Sequence, residues 1–323
     1  MSLIVQQVIN GISIGCIYAL LALGYTMVYG VLRMINFAHS ELFMLGSLFG
    51  LSVLRYMGIV GGRLNTLSVP LTALQLAGVV VVLFGLSAAF SGALGMMIER
   101  LVYRPTQRVS TKVLTVSALG LSTVLQNAAM LIGKPNIKGF PRLLPPRYFT
   151  VMGARFSNMQ VAIAVVTAAL LVVLGYLVNR TYIGRCVRAA AEDRDAASLM
   201  GVDVSRTVAL VFMLGSALAA VGGVLYSMYY EYTYYAMGVV VGTKGFTAAV
   251  LGGIGNITGA AAGGLLLGVL ETVGAGLLPR LTRGAIGAEW RDTFAFVLLV
   301  LVLLFRPQGL FGEAAGAARN GQS

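Results

Sequence analysis

The sequence predicts an all-α polytopic membrane protein, a single transmembrane domain over residues 1–323 with eight or nine membrane-embedded helices. Three observations carry that expectation. Of 323 residues, 58% are hydrophobic and 11% charged, against about 25% charged in an average soluble domain. Apolar stretches long enough to cross a bilayer recur along the chain, with the polar residues gathered in short intervals between them. In hydrocarbon, backbone N–H and C=O groups must pair within the protein, which an open sheet edge cannot achieve, so these stretches are helices.

Residues 3–31 form the first apolar stretch, too long for a signal-peptide core and long enough to span with tilt. The first cation is Arg33, so a cleaved leader is not expected. The chain passes without a loop through Asn36, Phe37, His39 and Glu41 into a second stretch ending near residue 55. Gly58, Gly61, Gly62 and Asn65 mark a turn, and residues 66–98 form a long apolar segment with Pro70 near its start. Polar residues 99–112 precede a span at 113–132. The interval 133–156, with Pro135, Pro141, Pro145 and Pro146, is too broken for a helix. Spans follow at 157–179 and 204–229, then segments at 240–253 and 256–278 separated only by Gly255 and Asn256, and a last span at 292–305. The small-residue run at 252–268 suits either close helix packing or a broken helix lining a cavity. A faint similarity between 11–46 and 215–253 points to an internal repeat.

The longest polar run, Gly184 to Gly201, separates two spans. Apart from its glycine ends its residues favour or tolerate a helix, and Gly201 is placed to stop one. It reads as a short helix gripped by another protein, or as an ordinary charged loop. The loop cations bear on orientation. Arg100, Arg104, Arg108 and Lys112 share a side with Arg180, Arg185, Arg188, Arg194 and Arg206. Lys134, Lys138, Arg142, Arg147 and Arg155 lie opposite, in a loop without acids. The positive-inside rule puts the first set in the cytoplasm.

Several function classes are excluded or weakened. His39 is the sole histidine, there is no Cys-x-x-Cys pair, and no phosphate-binding G-x-x-x-x-G-K-[ST] loop occurs. No cofactor or metal is therefore expected on this chain. The formal charge of +12 comes from cations scattered over short loops, which fits lipid headgroups and protein partners and not nucleic acid. Cys16 and Cys186 imply no disulfide framework. Ionisable and amide groups inside apolar segments are the better candidates, because burying them in a bilayer is costly. Asn36, Phe37, His39 and Glu41, if helical, put Phe37 and Glu41 on one face, as a polar gate or as caps for a helix break. Gln126 and Asn127 either face a pathway or bond neighbouring backbone. Glu271 needs a partner, and Lys244 is the obvious distant one. The tyrosines at 226, 229, 230, 232, 234 and 235 read as an interfacial belt or a selective vestibule.

A resemblance sharpens this picture. Asp195-Ala196-Ala197, three residues, then Gly201 is similar to the EAA-x3-G motif of ABC importer permeases, with Asp for the usual Glu. Asn10-Gly11, the strings at 25–30 and 35–39, Tyr103-Arg104-Pro105, the string at 248–255 and Arg306-Pro307 resemble the H-type permease subunit of high-affinity branched-chain amino-acid importers, over nearly the whole chain. The resemblance implies an inner-membrane permease that is not itself an enzyme. Its expected partners are a second homologous permease, two cytoplasmic ATPases carrying ATP and Mg, and an extracytoplasmic substrate-binding protein. It implies a coupling helix at 184–201 that meets the ATPases through Gly184, Arg185, Arg188, Ala189, Glu192, Asp195, Ala196, Ala197 and Gly201. The N-terminus is then outside and the C-terminus cytoplasmic. Relatives that carry urea, short amides or aromatic acids share the pattern. An ion-coupled secondary transporter is the competing class, with only Glu41 and Glu271 as intramembrane acids.

Overall fold

The computed structural model describes residues 2–61, 66–67, 72–106, 111–151, 153–283, 287, 290–306 and 308–312. The helices in order are α1 (Ser2–Leu32), α2 (His39–Tyr56), α3 (Ala73–Ile98), α4 (Arg104–Thr106), α5 (Thr111–Gly133), α6 (Asn158–Arg180), α7 (Tyr182–Glu192) and α8 (Arg194–Leu199). They continue with α9 (Val204–Tyr230), α10 (Met237–Gly252), α11 (Ile257–Leu281) and α12 (Arg291–Phe305). Among the described residues, six helices are long and apolar enough to cross a membrane. The helices α2, α10 and α12 are shorter, at 18, 16 and 15 residues. The all-α membrane architecture is as the composition implies.

Two boundaries differ from the sequence reading. Residues 66–67 are not helical but pair as β2 (Thr66–Leu67) with β1 (Val60–Gly61). The helix starts only at Ala73, where Thr72 and Gln75 form a reciprocal capping box. Pro70 lies outside the described residues. The polar stretch after residue 98 does not end the helix either, because a π turn at Glu99–Tyr103 carries it on to α4. Arg108 lies outside the described residues.

Helix α1 is buried along most of its length, and two close approaches explain why. Gly11, Gly15 and Ala19 recur every four residues and meet Gly264, Gly268 and Thr272 of α11, which run the other way. A Cβ on Gly15 would stand 2.8 Å from the Leu265 Cα, so only glycine allows this approach. The second crossing is with α9, where a Cβ on Gly215 would be 3.3 Å from the Gly24 Cα. Such small-residue stripes let helices gain dispersion contacts where lipid offers no hydrophobic drive. The glycines after residue 256 thus serve helix packing. Gly253 and Gly255, at φ of 100° and 102°, make the turn between α10 and α11.

The ends of α1 identify the two ends of the bundle. At one, the Gln6 side chain donates to the Arg155 carbonyl (2.7 Å) and accepts from its N–H (2.8 Å). Here the described residues of 134–157 form short strands and no helix: β3 (Lys138–Gly139) pairs with β6 (Tyr232–Thr233), and β4 (Tyr148–Val151) with β5 (Ala154–Ser157). At the other end, Arg33 Nη2 donates to the Ala191 carbonyl at 3.0 Å and Arg194 donates to that of Val31.

Residues 11–46 and 215–253 occupy matching helix–break–helix units. Helices α1 and α9 cross antiparallel, and each is followed by a short helix, α2 or α10. Helix α3 then packs on α9 as α11 packs on α1. The short helices meet inside the bundle, where Ser40 and Glu41 lie against the bare backbone of Gly238 and Gly242. An inverted pair of broken helices meeting at depth is an arrangement that transporters use.

Candidate functional site

The polar run folds as two helices rather than the single helix expected over 184–201. Asp193 makes the break: its backbone is extended, and its carboxylate accepts from the Asp195 and Ala196 N–H groups at 2.8 and 3.0 Å. A capping aspartate inside a helix-favouring run starts a new helix. Thr181 caps α7 in the same way through Gly184 N. Gly201, with φ of 85°, ends the run in the left-handed region, as expected.

Two of the candidate coupling residues, Gly184 and Ala197, turn inward. Gly184, Val187 and Ala190 of α7 and Ala197 of α8 are buried against the chain itself, Ala197 at 4% exposure. A Cβ on Gly184 would collide with the Val178 carbonyl. Gly184 and Ala197 therefore make contacts within the chain. Arg188 is also employed internally: its guanidinium donates to the Val178 carbonyl, as Arg194 does to Val31. Both satisfy carbonyls left unpaired at helix C-termini. Burial, with Arg33 nearby, holds Arg194 below the usual arginine range.

Arg185, Glu192, Asp195, Ala196 and Gly201 remain exposed, with Ala189 half-buried. Beside them stand apolar residues the sequence reading missed: Leu199 at 89% exposure, Met200 at 85% and Tyr182 at 66%, the last under the Arg185 guanidinium at 5.8 Å. Their signal was available, as apolar side chains inside the one polar run. Rigidly held apolar groups outside the apolar spans form a surface that another protein can cover.

The second group lies inside the bundle. Helix α2 begins only at His39, so Phe37 and Glu41 do not share a helical face as expected. Asn36 instead closes the break, its Oδ1 accepting from Ala38 N (3.1 Å) and from the Tyr103 hydroxyl (2.6 Å). His39 is buried edge-on to Tyr25, with ring centroids 4.8 Å apart. Phe37 is half-buried against Phe246, centroids 6.1 Å apart. Glu41 is fully buried; Oε1 accepts from Ser122 of α5 at 2.9 Å, and Oε2 has no hydrogen-bond partner among the described residues. Gln126 is half-buried one turn along α5, whereas Asn127 faces outward and donates to its own helix at Thr123 O (2.8 Å).

Lys244 and Glu271 do come together, at 2.7 Å. They belong to a larger cluster, since Lys244 also pairs with Asp292 (2.6 Å) and Arg291 with Glu271 (2.6 Å). Two cations and two acids thus compensate one another where α10, α11 and α12 meet. Arg291 and Asp292 went unnoticed because they head an apolar run and look like an ordinary span boundary. Above the cluster, Gln7, Asn10, Tyr229, Tyr230, Thr272 and Arg291 line a cavity of about 310 Å³. The tyrosines form a chain of tilted and edge-on contacts, with Tyr226 and Tyr230 centroids 4.5 Å apart. Among the described residues, no group of acids, cysteines and histidine is placed to hold a metal.

Residues 7–303 match the family model described as the branched-chain amino acid transport system permease component. The chain is 42% identical to the high-affinity branched-chain amino acid transport system permease protein BraD of Pseudomonas aeruginosa, over 95% of each chain. It is 38% identical to LivH of Escherichia coli K12, of the same description, again over 95% of each. To a probable LivH of Methanocaldococcus jannaschii it is 27% identical, over 91% of this chain and 88% of that one.

Proposed function

Because the chain belongs to the branched-chain amino acid transport permease family, we propose that it is the transmembrane subunit through which an ATP-driven importer passes branched-chain amino acids. A second homologous permease, two cytoplasmic ATPases and an extracytoplasmic binding protein complete the machine, in a bacterial inner membrane. The α7–α8 end faces the cytoplasm and the 133–157 end faces outside. That orientation follows the loop cations and puts the N-terminus outside and the C-terminus within.

The observation that carries this reading is the exposed Leu199–Met200 pair on a rigid pedestal. The pedestal is bonded to the ends of α1 and α6, so a force applied at α7–α8 reaches the bundle core directly. The work is passage. Alternating access requires the short helices α2 and α10 to separate, and their contact is glycine backbone against Ser40 and Glu41, which few side chains resist. On this reading Asn36, Phe37, His39 and Glu41 border the path from one side. Lys244 and Glu271 border it from the other, with Gln126 and Asn127 along α5. The chain's own groups neutralise the charges of that second side, so a zwitterionic solute meets no net field there.

The test is uptake by proteoliposomes holding this chain, its companion permease, both ATPases and the binding protein. Labelled leucine should accumulate only with ATP inside and binding protein outside. Accumulation driven by a proton or sodium gradient without ATP would replace this reading with an ion-coupled carrier.

A further inference from the structure

Two cavities adjoin at the 133–157 end, and together they make an amphipathic groove. The deeper, about 310 Å³, lies between Val80 and Phe84 of α3, Ala162 and Val166 of α6, and Leu225 of α9. All the residues lining it are apolar. The outer cavity, about 420 Å³, is of mixed polarity, with Arg142, Arg155, Asn158, Gln160 and the acid Glu231 on its walls. Leu144, Met159 and Met228 line both, so the two adjoin.

The charges at the mouth are unequal. Arg142 is held by Glu231, whose hydrogen bond raises the arginine above its ordinary range. Arg155 makes no ion pair among the described residues, yet its backbone is fixed on both sides by Gln6. One unneutralised guanidinium therefore stands at the rim of an apolar slot. The slot lies between α3 and α6, which are among the least buried of the long helices and expose apolar side chains such as Val81, Val165 and Val172.

We propose that this groove binds an anionic phospholipid, with an acyl chain in the slot between α3, α6 and α9 and the phosphate at Arg155. The chemistry matches at both ends. A membrane-level slot lined by aliphatic side chains suits hydrocarbon. A cation at headgroup depth favours a lipid with net negative charge by about 1 kcal/mol, or roughly fivefold in affinity. The occupant ties the loop carrying β4 and β5 to α3 and α9, and so stiffens the end that faces a binding protein.

The test is native mass spectrometry of the purified full chain titrated with phosphatidylglycerol or phosphatidylcholine of identical acyl composition. The wild type should hold phosphatidylglycerol about fivefold more tightly. Arg155→Gln should bring that preference to about one, because it removes the charge and leaves the slot. Ala162→Trp, which fills the slot, should weaken both lipids alike. Equal binding of the two lipids by the wild type, or a preference untouched by Arg155→Gln, would overturn the proposal. Retention of phosphatidylglycerol by Ala162→Trp would reduce the site to a surface charge and overturn it too. Displacement of the lipid by leucine would assign the groove to the solute instead.

Discussion

At the residue scale the ion cluster is the most demanding feature, because four charges within apolar helices persist only if they compensate one another. Glu271 is its hub, bonded to both Lys244 and Arg291. Glu271→Ala leaves Asp292 as the single acid for two cations and Arg291 without its ion-pair partner, and should cost about 3–5 kcal/mol of stability. Lys244→Met should cost less, since Arg291 still neutralises Glu271. Thermal melting of the two variants in detergent checks the order, and a milder loss for Glu271→Ala would show that the cluster is more hydrated than it looks. The Lys244–Glu271 pair was legible in the sequence from the rule that an intramembrane acid needs a cation. Arg291 and Asp292 were not, because hydropathy records which residues are apolar and not how deep a helix starts.

At the scale of elements, α1 and its stripe of Gly11, Gly15 and Ala19 set the bundle. Gly15→Leu drives a side chain into the backbone of α11 and should abolish the monodisperse folded species on size exclusion. Gly30→Leu, in the same helix with nothing within 4 Å of the added Cβ, should be tolerated and even favoured by helix propensity. Equal behaviour of the two would mean that α1 and α11 are not in contact. Apart from α3, the extents of the long helices were readable because apolar length is what a bilayer demands. The break at Asp193 was not, since every neighbour favours a helix and only the cap decides where one starts. The shortness of α2, α10 and α12 was harder to read, although their starts lie within a few residues of the expected ones. A half-depth helix and a full crossing differ in length by a few residues, which the flanking loops obscure.

At the scale of the whole molecule, the arrangement is a two-ended device: a polar, stranded end, and a pedestal of α7 and α8 stitched to the core by Arg33, Arg188 and Arg194. The proposed orientation has a direct check. A cysteine at Asn136 should react with an impermeant thiol reagent from outside intact spheroplasts, and one at Ser198 only after permeabilisation. The reverse pattern would invert the topology. The resemblance that marked the pedestal was legible in the sequence, but the side chains it presents were not. Gly184, Ala190 and Ala197 pack inward, and Leu199 and Met200 face out.

The central claim is that nucleotide-driven motion enters the bundle through this pedestal, and one measurement addresses it most directly. Leu199→Ser combined with Met200→Ser, in the reconstituted importer, changes only exposed side chains. The variant should melt like the wild type, lose ATPase co-purification, and take up leucine at a small fraction of the wild-type rate. Ala197→Trp, at a buried position, should instead lose the fold, and so separates contact from stability. Wild-type ATPase binding and uptake by a properly folded Leu199→Ser, Met200→Ser protein would contradict the account.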